Sequence, residues 1–139
     1  ETTVKLYEER YVFIAPKSLT VSKEKQITWT EVAQIPLCLL TQNMKNRQLI
    51  DRHFLDLGIS PSIVTEASDF TAVLAQVAAG NAATIAPESV AQTFLDLKST
   101  KQLDLICPVL THSVGLSIKD QSPVLPMIEA LRKAVKSAL

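Results

Sequence analysis

Residues 35–87 read IPLCLLTQNMKNRQLIDRHFLDLGISPSIVTEASDFTAVLAQVAAGNAATIAP, and their rhythm decides the fold. Short apolar segments at Ile35–Leu40, Ser62–Glu66 and Ala82–Ala86 alternate with two stretches of helical periodicity. From Met44 to Leu57, the residues Ile50, Phe54 and Leu57 share one helical face while Lys45, Arg52 and Asp56 share the opposite one. Gly58 stands where that helix should stop. The second helix is expected to take Ser68 as its N-cap, with Asp69 in its first turn. It carries Phe70, Val73, Leu74 and Val77, and its other faces are mostly Ala72, Ala75, Ala78 and Ala79. So little polar surface predicts burial on more than one side. Gly80 and Asn81 end it.

The pattern extends in both directions. Arg10–Ala15 is rich in aromatic and β-branched residues and reads as a strand closed by Pro16. Thr28 or Thr30 can cap a short helix through Val32 and Ala33. Downstream, Glu88–Leu95 reads as a helix, Leu103–Cys107 and Ser113–Ile118 as strands, and Pro123–Ala138 as a final helix with proline near its start. From Ile35 to Cys107, strands and helices alternate through three successive crossovers. This predicts an α/β fold, a mainly parallel sheet with helices on both faces. Leu37–Leu40, Ile63–Thr65 and Ala83–Ile85 are then expected as buried parallel strands, because helical crossovers cover a sheet on both sides.

Composition bounds what such a fold can do. The chain has 139 residues, 47% of them hydrophobic and 20% charged, with 14 Lys+Arg against 14 Asp+Glu. One domain with a substantial core fits that length and composition. The longest uninterrupted apolar run is Tyr11–Ala15, far short of the ~20 residues that span a bilayer, so no membrane partner is expected. Basic residues are scattered among acids rather than gathered in a stripe, so this chain by itself is a poor match for nucleic acid. Its 3 glycines form no phosphate-cradling motif. Cys38 and Cys107 each sit in an apolar run. They read as reduced core thiols, with a disulfide or reactive thiol as the alternative, and a cytoplasmic location follows from the first. A chain beginning at Glu1 is expected to be processed or part of a longer protein.

In a parallel sheet the ligand crevice lies beyond the carboxyl ends of the strands, where helix N-termini offer unpaired N–H groups. Three junctions fall there: Thr41, Gln42 and Asn43; Ala67, Ser68 and Asp69; Ala86, Pro87 and Glu88. The first is the most informative, because three neutral polar residues follow an apolar strand. Thr41, Gln42, Asn43 and Phe70 are expected near one another at that edge. Thr41 or Asn43 can equally be a plain helix cap, as can Ser68, and Asp69 and Glu88 read first as dipole partners in first turns. Lys45 and Arg47 can reach an anion from the first turn of their helix, or simply be solvated. His53 and His112 accompany no nucleophile or metal-binding motif and read as structural or exposed, and Trp29 reads as a packing anchor. No catalytic set assembles, so no enzyme activity, metal site or cofactor is expected.

With these segments in order, the chain resembles the effector-binding region of LysR-type transcriptional regulators. The resemblance is carried by LYEERYVFIAP, by IPLCLLTQN, and above all by a helix ending in Val77–Gly80, followed by an apolar strand and Pro87. Phe54–Gly58 and Glu66 also match the family pattern, whereas Asn81 and Ala82 stand where Leu and Gly are common. The resemblance implies a periplasmic-binding-protein-like (type 2) fold in two subdomains with an effector in the cleft between them. Residues 10–110 would be the second subdomain. Residues 111–139 would be a closing strand and helix returning to a first subdomain largely outside this chain. Thr41, Gln42, Asn43, Ser68, Phe70, Ala86 and Pro87 then match ligand-binding positions, and the crossovers near Ala15 and Pro16 and near Leu110–Ser113 match the hinge. The implied partners are a small-molecule effector, an anion among the candidates, and DNA through a winged helix-turn-helix domain absent from this chain. The full-length protein would be a homodimer or homotetramer. A fragment of a periplasmic solute-binding protein for a transporter is the alternative. The implied first subdomain would pack on Val114, Leu116 and Ile118 and on Val124, Ile128, Leu131 and Val135, so in its absence these residues are expected to find substitute partners.

Overall fold

The computed structural model describes residues 2–118, 131 and 133–135, and its first strand is β1 (Thr2–Pro16). The chain divides into two compact units, Arg10–Leu110 and a smaller one made of Glu1–Glu9 with Thr111–Leu139. In the larger unit Tyr11, Val12, Phe13, Ile14 and Ala15 are at most 1% exposed, so both faces of β1 are covered. Its neighbours are β5 (Thr84–Pro87) and β6 (Thr100–Ile106), both antiparallel to it, with Phe13 opposite Ile85 on one side and Leu103 on the other. Strand β2 (Gln26–Thr28) adds to β6 in parallel. Strands β3 (Pro36–Leu40) and β4 (Ser62–Ala67) form a parallel pair. A parallel bridge between Leu37 and Ala83 joins β3 to the stretch leading into β5, closed by bonds of 2.9 Å from the Cys38 N–H to the Ala83 carbonyl and from the Ala83 N–H to the Pro36 carbonyl.

The sheet is therefore mixed rather than mainly parallel. Strand and helix order from β3 to β6 follows the sequence reading, but β1 is inserted antiparallel between β5 and β6. A strand buried on both faces reads as the same apolar run in either direction, so hydrophobicity does not encode its polarity. Among the described residues of this larger unit, four helices cover the sheet: α1 (Trp29–Val32), α2 (Lys45–Leu57), α3 (Phe70–Ala78) and α4 (Glu88–Phe94). Tyr11, Phe13, Leu37 and Leu39 pack with Trp29 and with Ile50 and Phe54 of α2. On the other face Val12 and Ile14 meet Leu74 and Val77 of α3 and Ala91 of α4, while Cys38 and Leu40 meet Val73. The alternation of side chains along each strand is what divides the core between the faces.

Expectations of burial fail at three places. Strand β4 is not buried: Val64 is 53% exposed and Glu66 is open to solvent. Opposite it the register moves from Leu37↔Ile63 to Cys38↔Thr65, which leaves Val64 as an extra residue in a β-bulge. On α3, Ala72, Ala75, Ala78 and Ala79 are exposed, so the helix buries one face rather than several. Cys38 is buried as expected, but Cys107 is exposed with φ 61°, because β6 already ends at Ile106 and Cys107 lies in the turn beyond it. Both cysteines are free.

Caps explain the helix boundaries. Thr28 closes a capping box on α1: its hydroxyl accepts from the Glu31 N–H and its own N–H donates to the Glu31 carboxylate, each at 3.2 Å. Gly58, at φ 68°, terminates α2 in the left-handed conformation that glycine tolerates. Helix α3 starts at Phe70, so its cap is Asp69 rather than Ser68, and the Asp69 carboxylate accepts from the Ala72 N–H at 2.8 Å.

In the smaller unit β7 (Thr111–Ile118) pairs with β1. Gly115 approaches the chain at Val4 so closely that a Cβ there would lie 2.6 Å from the Val4 carbonyl oxygen. Val114, Leu116 and Val135 are half-buried and Leu131 is exposed. Residues 131 and 133–135 are helical, and the rest of the expected Pro123–Ala138 helix, including Val124 and Ile128, lies outside the described residues.

Candidate functional site

Strands β3 and β4 end side by side, with Leu39 opposite Glu66 and Leu40 opposite Ala67. One further bond, from the Thr41 N–H to the Ala67 carbonyl at 3.1 Å, carries the pairing past the end of β3. The two chains then diverge, Thr41–Asn43 toward α2 and Ser68–Asp69 toward α3. Phe70 packs on both sides of this point, against Cys38, Leu40, Val73 and Ala82 and against Val12, Ile14 and Ala86. Thr41, Gln42, Asn43, Ser68 and Phe70 thus gather at one end of β3 and β4. Ala86 and Pro87 stand at the same end of the neighbouring β5, where Phe70 packs against the cluster that holds Ala86, but both are buried, paired with Val12 and Tyr11 of β1.

The polar loop is not a cap. The N-cap of α2 is Met44, which makes no side-chain capping bond, so the first turn of the helix has no side-chain partner at its amino end. Instead the Thr41 hydroxyl donates to Asn43 Oδ1 at 2.6 Å, the Met44 N–H donates to the Thr41 carbonyl at 3.1 Å, and the Gln48 amide donates to the Gln42 carbonyl at 3.2 Å. Gln42 and Asn43 remain exposed. Deeper in, the Tyr11 hydroxyl donates to Asn46 Oδ1 at 2.6 Å, tying β1 to the first turn of α2.

Arg47 is the residue that sequence reasoning placed wrongly. It is 4% exposed rather than solvated. Its Nε donates to Asp51 at 2.9 Å, and its Nη1 donates both to the Leu40 carbonyl at 2.8 Å and to the Glu66 carboxylate. Burial works against its charge, and the bonds to Asp51 and Glu66 outweigh that, so its pKa lies above the ordinary arginine value. The available signal was the Arg47–Asp51 spacing of four on a helix, which is also the spacing of solvated pairs. Glu88 likewise does more than face a helix dipole: it accepts from Arg10, which also pairs with Asp104 at 3.3 Å.

His53 lies against Trp29, with ring centroids 4.4 Å apart, and its Nε2 is buried without a hydrogen-bond partner. Burial lowers its pKa, and Asp56 opposes this only in part. Trp29 is fully buried, meets Phe54 edge-on at 4.9 Å, and donates through Nε1 to the Pro108 carbonyl at 2.8 Å. That is an anchor, as its sequence context suggested. Among the described residues no group of three or more His, Cys, Asp or Glu could hold a metal ion, and no helix is long and apolar enough to cross a membrane.

Comparison with known families and structures gives a consistent result. The family model described as LysR substrate binding domain matches residues 2–139. A cysteine mutant of OxyR from Corynebacterium glutamicum superposes with a TM-score of 0.84 at 20% identity, over 99% of this chain and 43% of that one. The effector-binding domain of QuiR in complex with shikimate gives 0.75 at 20% identity, over 94% and 63%. Full-length CbnR complexed with its target DNA gives 0.77 at 22% identity, over 97% and 46%. At such identities the likeness establishes the fold, and the chain spans less than two thirds of each of these structures. No curated protein matches the chain.

Proposed function

The chain belongs to the LysR substrate-binding domain family, and from that premise we propose that it senses a small molecule in a transcriptional regulator rather than catalysing a reaction. The observation that carries the reading is the gathering of Thr41, Gln42, Asn43, Ser68 and Phe70 where β3 and β4 end. Exposed Gln42 and Asn43 offer amide donors and acceptors, and the first turn of α2 beside them presents N–H groups that no side chain caps. Such a surface suits a small polar or carboxylate-bearing metabolite. QuiR, which shares the fold, is described in complex with shikimate. Residues 10–110 act in this reading as the second of two subdomains, and the effector shifts the populations of the assembly by binding one arrangement more tightly than another.

The remaining partners follow from the same reading. Contact with DNA belongs to a further domain of the full-length protein, as CbnR is described on its target DNA, and the protein works in the cytoplasm. Its assembly as a homodimer or homotetramer is supported by the exposed Ala72, Ala75 and Ala78 of α3 and the exposed Ala79 that caps it, with Phe94, at 55% exposure, lining one hollow with Ala75 and Ala78. The periplasmic solute-binding alternative is set aside by the family.

Calorimetric titration of the full-length protein with shikimate and other small carboxylates tests the site, comparing wild type with Gln42→Ala and Asn43→Ala. At least one substitution should weaken a ligand that binds the wild type by about tenfold, the value of one lost hydrogen bond of ~1.4 kcal/mol. Unchanged affinity in both variants would refute the assignment.

A further inference from the structure

We propose that Arg47 is the positioning residue of this site, a buried cation that ties the ends of β3 and β4 together and so holds the Thr41–Asn43 loop in place before any ligand arrives. The proposal rests on the effector-site reading only for what the loop binds. The tie itself is a property of the unliganded protein.

Three features lead to it. The Arg47 side chain, 4% exposed, sits between three elements and bonds to each of them: Asp51 on α2, the Leu40 carbonyl at the end of β3, and Glu66 near the end of β4. The bond to Leu40 falls on the carbonyl immediately before Thr41, and the bond to Glu66 falls immediately before Ala67, whose carbonyl accepts from Thr41. Arg47 thus spans the last rung of the ladder from which both loops depart. Strand β4 also needs such a tie. It pairs among the described residues only with β3, its register shifts at Val64, and residues 64–66 are exposed, so apolar burial does little to fix its carboxyl-terminal half.

The charge balance also weighs against the competing role of an anion receptor. Two carboxylates, Asp51 and Glu66, already face the one guanidinium, so an incoming anion would approach a cation that is more than neutralised. A planar fork with donors at fixed angles can serve a carbonyl and two carboxylates at once, whereas a lysine ammonium is a point charge on a flexible stem. The proposal therefore separates geometry from charge: Arg47→Lys should fail to replace the arginine.

Amide hydrogen exchange of the full-length protein, without ligand, tests this in wild type, Arg47→Ala, Arg47→Lys and Glu66→Gln. The diagnostic amides are Thr41 and Met44, bonded to Ala67 and Thr41, with Ala83 and Ala79 as references elsewhere in the same unit. Both Arg47 variants should speed exchange at Thr41 and Met44 by about tenfold, with Ala83 and Ala79 unchanged, and Glu66→Gln should do so by a smaller factor. Equal acceleration at all four amides would reduce Arg47 to a general folding contact. Unchanged exchange at Thr41 and Met44, or full rescue by Arg47→Lys, would overturn the proposal. Should Arg47→Ala fail to fold, the lysine and Glu66 variants decide it. A protein that shows the local acceleration but binds no small carboxylate keeps the tie and loses the effector reading.

Discussion

Strands β3 and β4 lie side by side and run the same way, yet they live in different environments. Leu37–Leu40 are 0 to 4% exposed, whereas along β4 Val64 is 53% exposed and only Ile63 and Ala67 reach the core clusters, as partly buried neighbours. The difference is positional. β3 has β4 on one side and the Ala83 bridge on the other, with α2 and α3 packed over its faces. Among the described residues β4 pairs on one side only. The first strand is fixed by burial, the second by a ladder and a buried arginine, and the candidate ligand loops leave the sheet from both.

The contrast is broken most directly by removing burial from β3. Leu39→Ala, in the cluster with Trp29 and Phe54, should cost about 2–5 kcal/mol, read from urea denaturation followed by the fluorescence of Trp29. A cost below that range would mean that the core collapses around the vacancy. The next effect is at the tie. Glu66→Ala removes one of the carboxylates that face Arg47, but Glu66 is 41% exposed and Asp51 stays in place, so the loss should be about 1 kcal/mol. A loss as large as that of Leu39→Ala would make β4 as dependent on its ion pair as β3 is on its core.

A pH series sharpens the comparison further, because the layer over β3 contains His53 against Trp29. Burial holds the His53 pKa below its ordinary 6.5 in the folded chain, so below that pH the unfolded chain binds the extra proton first. Stability is therefore full above about pH 6.5 and falls as the pH drops toward the folded pKa. In His53→Phe that decline should be shallower between pH 7 and 5, and an identical slope would place the titration elsewhere. The smallest effect belongs to the exposed strand: Val64→Thr should change stability by no more than about 0.5 kcal/mol.

The sequence showed the order of these elements because periodicity and punctuation are local. Ile50 and Phe54 point into the core from α2 and Gly58 stops that helix, as read. What escaped was non-local. Nothing in Tyr11–Ala15 says that the strand runs against its neighbours, and nothing in Ser62–Glu66 says that among the described residues it pairs with β3 alone. At the candidate site the loop residues were visible as a polar run after an apolar strand. Their bonding was not: Thr41 and Asn43 pair with each other instead of capping α2, and Arg47 finds Glu66 19 residues away in sequence. The cap of α3 was missed by one position because Ser68 and Asp69 are both competent acceptors and only the start of the helix chooses between them.

The extra residue in β4 also bears on how the protein behaves at high concentration. A straight outer strand offers a regular row of free N–H and C=O groups that another chain can copy, which is how sheets grow into fibres. Val64 interrupts that row in mid-strand, and a bulge twists the strand locally, so an incoming segment loses register after a few residues. The break in register at Val64, rather than its apolar side chain, therefore acts against edge-to-edge aggregation. Deleting Val64 would leave a shorter, more regular strand that matches β3 better and recruits its own copies more readily.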